Sequence, residues 1–279
     1  MSDKNYFTPA EILDVTINVG ITKTSISAAK QFLLGILGGA FIALAGASAN
    51  MAAFNLLAKP ETFGLGKLVS GAVFPVGLML VVIAGGELFT GNSLIFAAVL
   101  DGKTRFVKML QNWFLVYVSN FVGAFFVVAV AFYSGQYLSG NSLLGGVTVK
   151  IAYGKIAINF FPALFSGILC NWLVSLGVWL AYAAKDIVGK IFACFFPVFL
   201  FVIAGYEHSI ANMYYVPAGI LAKSVPSFVV ASGIPAKALV NLNWQNFFIK
   251  NLIPVTIGNI IGGSILIAFA YWLAYKKMK

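Results

Sequence analysis

A single histidine, His208, stands in this 279-residue chain, directly after Glu207 and inside an otherwise apolar stretch. An ionisable side chain at membrane depth is a functional candidate by default, and imidazole is the group whose charge changes near neutral pH. We therefore read His208 as lining a pore. Thr90 and Asn171 are the polar neighbours expected to work with it, because a hydroxyl or an amide can donate to a passing anion or to the ring. For both, hydrogen bonding between helices is the competing reading.

Glu87 and Glu207 are the only acids placed within apolar elements, and each sits at an interruption. Ala84-Gly-Gly-Glu87-Leu-Phe-Thr-Gly-Asn92 and Ala204-Gly-Tyr-Glu207-His-Ser-Ile-Ala-Asn212 repeat Ala, Gly, Glu and Asn at identical spacing in the two halves of the chain. An unpaired carboxylate in a membrane costs roughly 2.5 kcal/mol or more. Glu87, Asn92, Glu207 and Asn212 are therefore expected to support the helix breaks, the carboxylates accepting from backbone N–H groups that the breaks set free. Phe74, Leu78, Leu88 and Phe201 flank the two breaks and are the candidates for apolar constrictions, since such constrictions gate channels.

The elements that must hold these residues are apolar helices. Hydrophobic residues make up 61% of the chain and charged residues 9%, against about 25% charged in a soluble domain. Charge-free stretches at 31–58, 68–86, 109–149, 156–184, 191–206 and 251–275 give six membrane elements of about one span each. The third is too long for one span, and its turn-rich segment Ser134–Ser142 ends a helix that begins near Val107. Residues 1–30 carry charges and no signal-type apolar core, and read as an amphipathic cytoplasmic lead-in. Residues 31–275 form one pore domain and 276–279 a cytoplasmic tail.

The break motifs recur, and a second echo joins them: Gln111-Asn-Trp-Phe with Asn120-Phe-Val-Gly123, against Gln245-Asn-Phe-Phe with Asn259-Ile-Ile-Gly262. Two halves of three spans, near 31–135 and 155–275, must enter the membrane from opposite sides. The expected fold is all-α, with six transmembrane helices in two inverted repeats and helices two and five interrupted, the pattern that marks a midplane site.

Both termini then share a face. Placing that face in the cytoplasm puts Lys4, Lys23, Lys30, Lys103, Arg105, Lys108, Lys185, Lys190, Lys276, Lys277 and Lys279 inside, the larger part of the 18 basic residues. The net charge of +10 is scattered singly between spans, so nucleic acid is not an expected partner. Cys170 and Cys194 lie in apolar runs and read as buried hydrophobes. No metal, cofactor or enzymatic site is expected, because one histidine and two equivalent glutamates do not converge as catalysis requires.

Gly86-Glu-Leu-Phe-Thr-Gly91, Cys170-Asn-Trp-Leu-Val174, Gly205-Tyr-Glu-His-Ser-Ile-Ala-Asn-Met213 and Asn251-Leu-Ile-Pro-Val-Thr-Ile-Gly-Asn-Ile-Ile-Gly-Gly263 resemble the formate/nitrite transporter family, in order and over most of the chain. The resemblance implies an aquaporin-like protomer and a homopentamer with one pore per subunit. It also implies passage of formate, nitrite or hydrosulfide, passive or linked to protons, across an inner membrane. It maps the family's central histidine onto His208, its partners onto Thr90 and Asn171, its constrictions onto Phe74, Leu78, Leu88 and Phe201, and a vestibule lysine onto Lys155. A neutral-solute channel of aquaporin type remains the alternative from another class, although it predicts Asn-Pro-Ala at the breaks, where this chain has Glu-x4-Asn.

Overall fold

The computed structural model describes residues 4–278. Met1–Asp3 of the lead-in and Lys279 of the tail lie outside these residues. Among the described residues eleven helices carry the fold: α1 Pro9–Ser25, α2 Ala28–Leu57, α3 Pro60–Gly85, α4 Phe89–Leu100, α5 Phe106–Tyr133, α6 Leu143–Ala157, α7 Phe160–Ala183, α8 Ile187–Ala204, α9 Ser209–Ala222, α10 Pro226–Ser232 and α11 Trp244–Lys277. Six of them, α2, α3, α5, α7, α8 and α11, are long and apolar enough to cross a membrane. At 1.5 Å per residue the 30 residues of α2 reach about 45 Å, which crosses the hydrocarbon with room for tilt.

Lipid offers no hydrophobic drive between helices, so close packing through small residues has to hold them together. One close approach of backbones occurs twice. A Cβ added at Gly123 of α5 would collide with the carbonyl oxygen of Ile36 in α2, and one added at Gly262 of α11 with that of Ile168 in α7. Ile168 and Gly262 thus occupy in the second half the places that Ile36 and Gly123 hold in the first. The pairing of α2 with α5 is repeated by α7 with α11. In the same way α1 matches α6, α3 matches α8, and the half-helix α4 matches α9. Phe114, Phe126 and Phe165 are exposed on the outside of the bundle.

Four features differ from the expectations. Helix α1 is more than a lead-in: Leu13, Ile12, Ile17 and Gly20 are buried against the bundle. The segment after Ser142 forms α6, buried along Leu144–Val149, which the charge-free run had merged with the third element. Within the second echo, the register of the Gln-Asn pair is corrected: the offset that carries Asn120 onto Asn259 carries Asn112 onto Asn251, not onto Asn246, and the hydrogen bonds of Asn112 and Asn251 agree. And α3 begins at Pro60, so Lys67 lies inside a span.

The N- and C-terminal ends meet on one face. Lys276 pairs with Asp14 at 2.9 Å, Trp272 Nε1 donates to Asp101, and the amide of Phe7 donates to Ala183. That face also carries the loop at 101–105.

Candidate functional site

Both interrupted helices break by the same local mechanism. The amide of Gly86 reaches back five residues to the carbonyl of Val81, and that of Tyr206 does the same to Phe201, each at 3.0 Å. Such widened turns leave the helical ladder and recur at functional sites. A glycine at positive φ then turns the chain out, Gly85 at +100° and Gly205 at +76°, a region open to glycine and strained for other residues. Extended residues follow, Glu87-Leu88 and Tyr206-Glu207-His208, before α4 and α9 begin.

An extended strand at membrane depth must have its polar backbone satisfied by protein. Two asparagines do this. Asn120 Nδ2 donates to the carbonyls of Gly35 (2.7 Å) and Glu87 (2.8 Å), and its Oδ1 accepts from the amide of Phe89 (3.0 Å). Asn259 Nδ2 donates to Gly167 (2.8 Å) and Glu207 (3.0 Å), and its Oδ1 accepts from Ser209 (2.9 Å). One amide thus staples the break, the neighbouring span and the start of the half-helix.

The carboxylates are held differently from expectation. Their partners are side chains, not backbone amides freed by the break. Glu87 accepts from Lys23 Nζ (2.7 Å) and Asn92 Nδ2 (2.6 Å), and Asn92 Nδ2 also reaches Asn112 (2.8 Å). Glu207 accepts from Lys155 Nζ (2.9 and 3.1 Å), from Asn212 Nδ2 (2.7 Å) and from Asn251 Nδ2 (3.4 Å), and Asn212 also donates to Asn251 (2.8 Å). The physical reason is charge: a buried carboxylate is best compensated by a cation plus hydrogen-bond donors, and α1 and α6 each deliver one lysine. Lys155, which the resemblance made a vestibule lysine, lines the larger cavity and is paired with Glu207.

Between the two breaks sits the imidazole, 3% exposed. His208 is the N-cap of α9: its Nδ1 accepts from the amide of Ala211 at 3.0 Å. An acceptor nitrogen carries no proton, so the neutral ring holds its proton on Nε2. Nε2 lies 2.9 Å from Thr90 Oγ1 and donates to it, which leaves the Thr90 hydroxyl proton free to donate elsewhere. The ring stacks on Phe201 (centroids 5.9 Å apart), and Phe201 meets Phe74 edge-on at 5.8 Å.

Two cavities approach this septum from opposite sides. One, of about 330 Å³, is lined by Lys67, Phe74, Lys155, Phe201 and His208 among others. The other, about 260 Å³, is lined by Lys23, Leu78, Glu87, Leu88 and Tyr182 and opens toward the face with both termini. Phe74 and Phe201 thus line the first cavity, and Leu78 and Leu88 the second. Asn171 lines neither. Its Nδ2 donates to the carbonyls of Asn259 (2.6 Å) and Thr90 (3.2 Å), so it braces the backbone behind Thr90 and does not touch the ring.

Lys23, Asn112, Asn120, Asn251 and Asn259 belong to this constellation and were not singled out as site residues from the sequence. The Asn-x-x-Gly echo contained Asn120 and Asn259. Lys23 was detectable only by registering α1 on α6, which lays it over Lys155.

An inverted repeat with two capped breaks, a polar septum and a cavity on each side defines a membrane pore or transporter. The profile of the formate/nitrite transporter family matches residues 10–273. A probable formate transporter of Methanothermobacter thermautotrophicus is 38% identical, over 98% of both chains. The formate channel FocA of Haemophilus influenzae is 39% identical, over 93% of this chain and 92% of its own length. The solved structure described as a pentameric formate channel with formate bound superposes with a TM-score of 0.79 at 36% identity, over 89% of this chain and 97% of its own. The chain belongs to the formate/nitrite transporter family and is a membrane transport protein, not an enzyme.

Proposed function

We propose that this protein conducts small monovalent anions of weak acids, formate first, through a pore in each protomer of a homopentamer. Nitrite and hydrosulfide are the runner-up substrates, since they share charge, size and weak-acid chemistry. The observation that carries the proposal is the His208–Thr90 pair, in which the ring holds Thr90 so that its hydroxyl is free to donate between the two cavities. The proposed setting is a cytoplasmic membrane with both termini inside, favoured by the basic residues on the terminal face.

Moving a carboxylate-sized ion into a dry, low-dielectric septum costs from several to about 20 kcal/mol. The donor this pair leaves free, Thr90 Oγ1–H, returns about 1.5–3 kcal/mol. The N-termini of α4 and α9 both face the septum and add up to about 2 kcal/mol each. The total of about 7 kcal/mol or less covers the low end of the cost and not the high end. Crossing therefore needs either water drawn in with the anion or a proton taken up in the vestibule, so that the neutral acid passes. A cationic ring is disfavoured by geometry, because a proton on Nδ1 would face the N–H of Ala211 and uncap α9.

The test is formate flux in proteoliposomes across a pH series at fixed formate. Passage as the neutral acid gives a flux proportional to proton concentration, and hydrated anion passage a flux nearly independent of it. Replacing His208 with Phe is expected to abolish the flux or its pH dependence. Wild-type flux from that variant at every pH would remove His208 from the mechanism.

A further inference from the structure

The larger cavity holds polar groups that the septum does not use. Asn50 of α2 lines it at 3% exposure, and its Nδ2 has no hydrogen-bond partner among the described residues. A buried donor left unpaired costs about 1–3 kcal/mol, and such a group in a native protein calls for a partner, a water or an ion among them. Lys67 lines the same cavity, with its Nζ 3.4 Å from where a Cβ on Gly205 would stand, against the second break. The ion pairs among the described residues engage Lys23, Lys155 and Lys276 but not Lys67. Ser70 follows Lys67 by three residues and Phe74 by seven, a spacing that aligns ammonium, hydroxyl and aromatic gate on one face of α3.

We propose that Asn50, Lys67 and Ser70 form an oxyanion-docking subsite on the vestibule wall, which holds a small carboxylate or comparable monovalent anion before it meets Phe74 and Phe201. The inference rests on the anion-pore reading and adds the place where the anion waits. Three observations fit together. Lys155 is already neutralised by Glu207 and Lys150 on the same wall is exposed, so the uncompensated cation on the buried side is Lys67. Asn50 supplies an N–H with nothing else to bind. The cavity that joins them ends at the aromatic pair beside His208. An ammonium contributes a compact charge, and the amide and hydroxyl contribute direction.

The experiment measures initial formate flux against sodium formate concentration in proteoliposomes of the full-length protein. Wild-type flux is the control for the reading beneath: no saturable formate flux in the wild type sinks the pore assignment itself. Given that flux, Lys67→Met and Asn50→Leu are each expected to raise the half-saturating formate concentration about tenfold or more, the order of one lost hydrogen bond to a charged group. Lys67→Arg keeps the charge and is expected to stay within about twofold of the wild type. Half-saturation unmoved in both Lys67→Met and Asn50→Leu overturns the subsite. So does a Lys67→Arg protein as impaired as Lys67→Met, since that result assigns the effect to packing and not to charge.

Discussion

Replacing Asn259 with Leu tests the reasoning about the breaks most directly. Leucine keeps the volume and removes one acceptor and two donor contacts, leaving the amide of Ser209 and the carbonyls of Glu207 and Gly167 without partners. At about 1–3 kcal/mol for each orphaned buried group the loss is roughly 3–9 kcal/mol. The weaker values measured between transmembrane helices, about 0.6 kcal/mol per bond, set a floor near ~2 kcal/mol. We expect about 4 kcal/mol, between these bounds, read as reversible unfolding in mixed detergent micelles. Asn120→Leu removes the same three contacts in the other half and is expected to match it. Asn259→Asp is expected to be worse than Leu, because a buried carboxylate would face two carbonyl oxygens. A loss under about 1 kcal/mol for Asn259→Leu would refute the stapling argument, for it would mean that the extended backbone is satisfied without the amide.

In the Lys155–Glu207 pair, Lys155→Met alone strands a buried carboxylate and is expected to cost about 3–5 kcal/mol, while the double variant with Glu207→Gln recovers most of that. A double variant no better than the single one in the same unfolding assay defeats the pairing argument. Gly262→Val drives a side chain into the Ile168 carbonyl and is expected to cost about 2 kcal/mol or more, seen as loss of the folded peak in detergent chromatography. Glu11 accepts from the amide and hydroxyl of Thr8 at 2.7 and 2.8 Å, and these bonds hold its carboxyl below the ordinary 4.5. A carboxyl lowered on folding stabilises above its ordinary value and loses that contribution as pH falls through the folded one. Amide protection in the first turn of α1 is thus expected to fall as the pH is taken down below 4.5, and flat protection there contradicts the cap.

The six spans were legible because lipid imposes a length and an absence of charge that composition alone records. The breaks were legible because glycine, glutamate and asparagine stand at matched spacing. The roles within the site were harder to read. A sequence shows that Glu87 and Glu207 need partners but not which elements bring them, and the lysines arrive from α1 and α6, which are not spans. The halves also drift in register: the offset from Lys23 to Lys155 is longer than that from Glu87 to Glu207 and shorter than that from Asn120 to Asn259. Loop insertions between elements break a single offset into three. That is why Asn112 was paired with Asn246, and why α1 was read as standing outside the repeat. Asn171 was placed correctly at midspan, but its backbone targets depend on how α7 crosses α4 and α11, which no local pattern encodes. Lys67 escaped notice because a charge near the end of a span reads as an anchor.

The position that holds His208 in one half holds Leu88 in the other, while the staples, the ion pairs and the glycine turns are duplicated. Handedness along the conduit therefore resides in a few side chains and not in the backbone. The two faces share one architecture and differ in surface: Phe74, Phe201 and the imidazole line the cavity on one side, Leu78 and Leu88 with Tyr182 the cavity on the other. Rectification, if engineered, can be tuned at these lining positions without disturbing the frame that carries them.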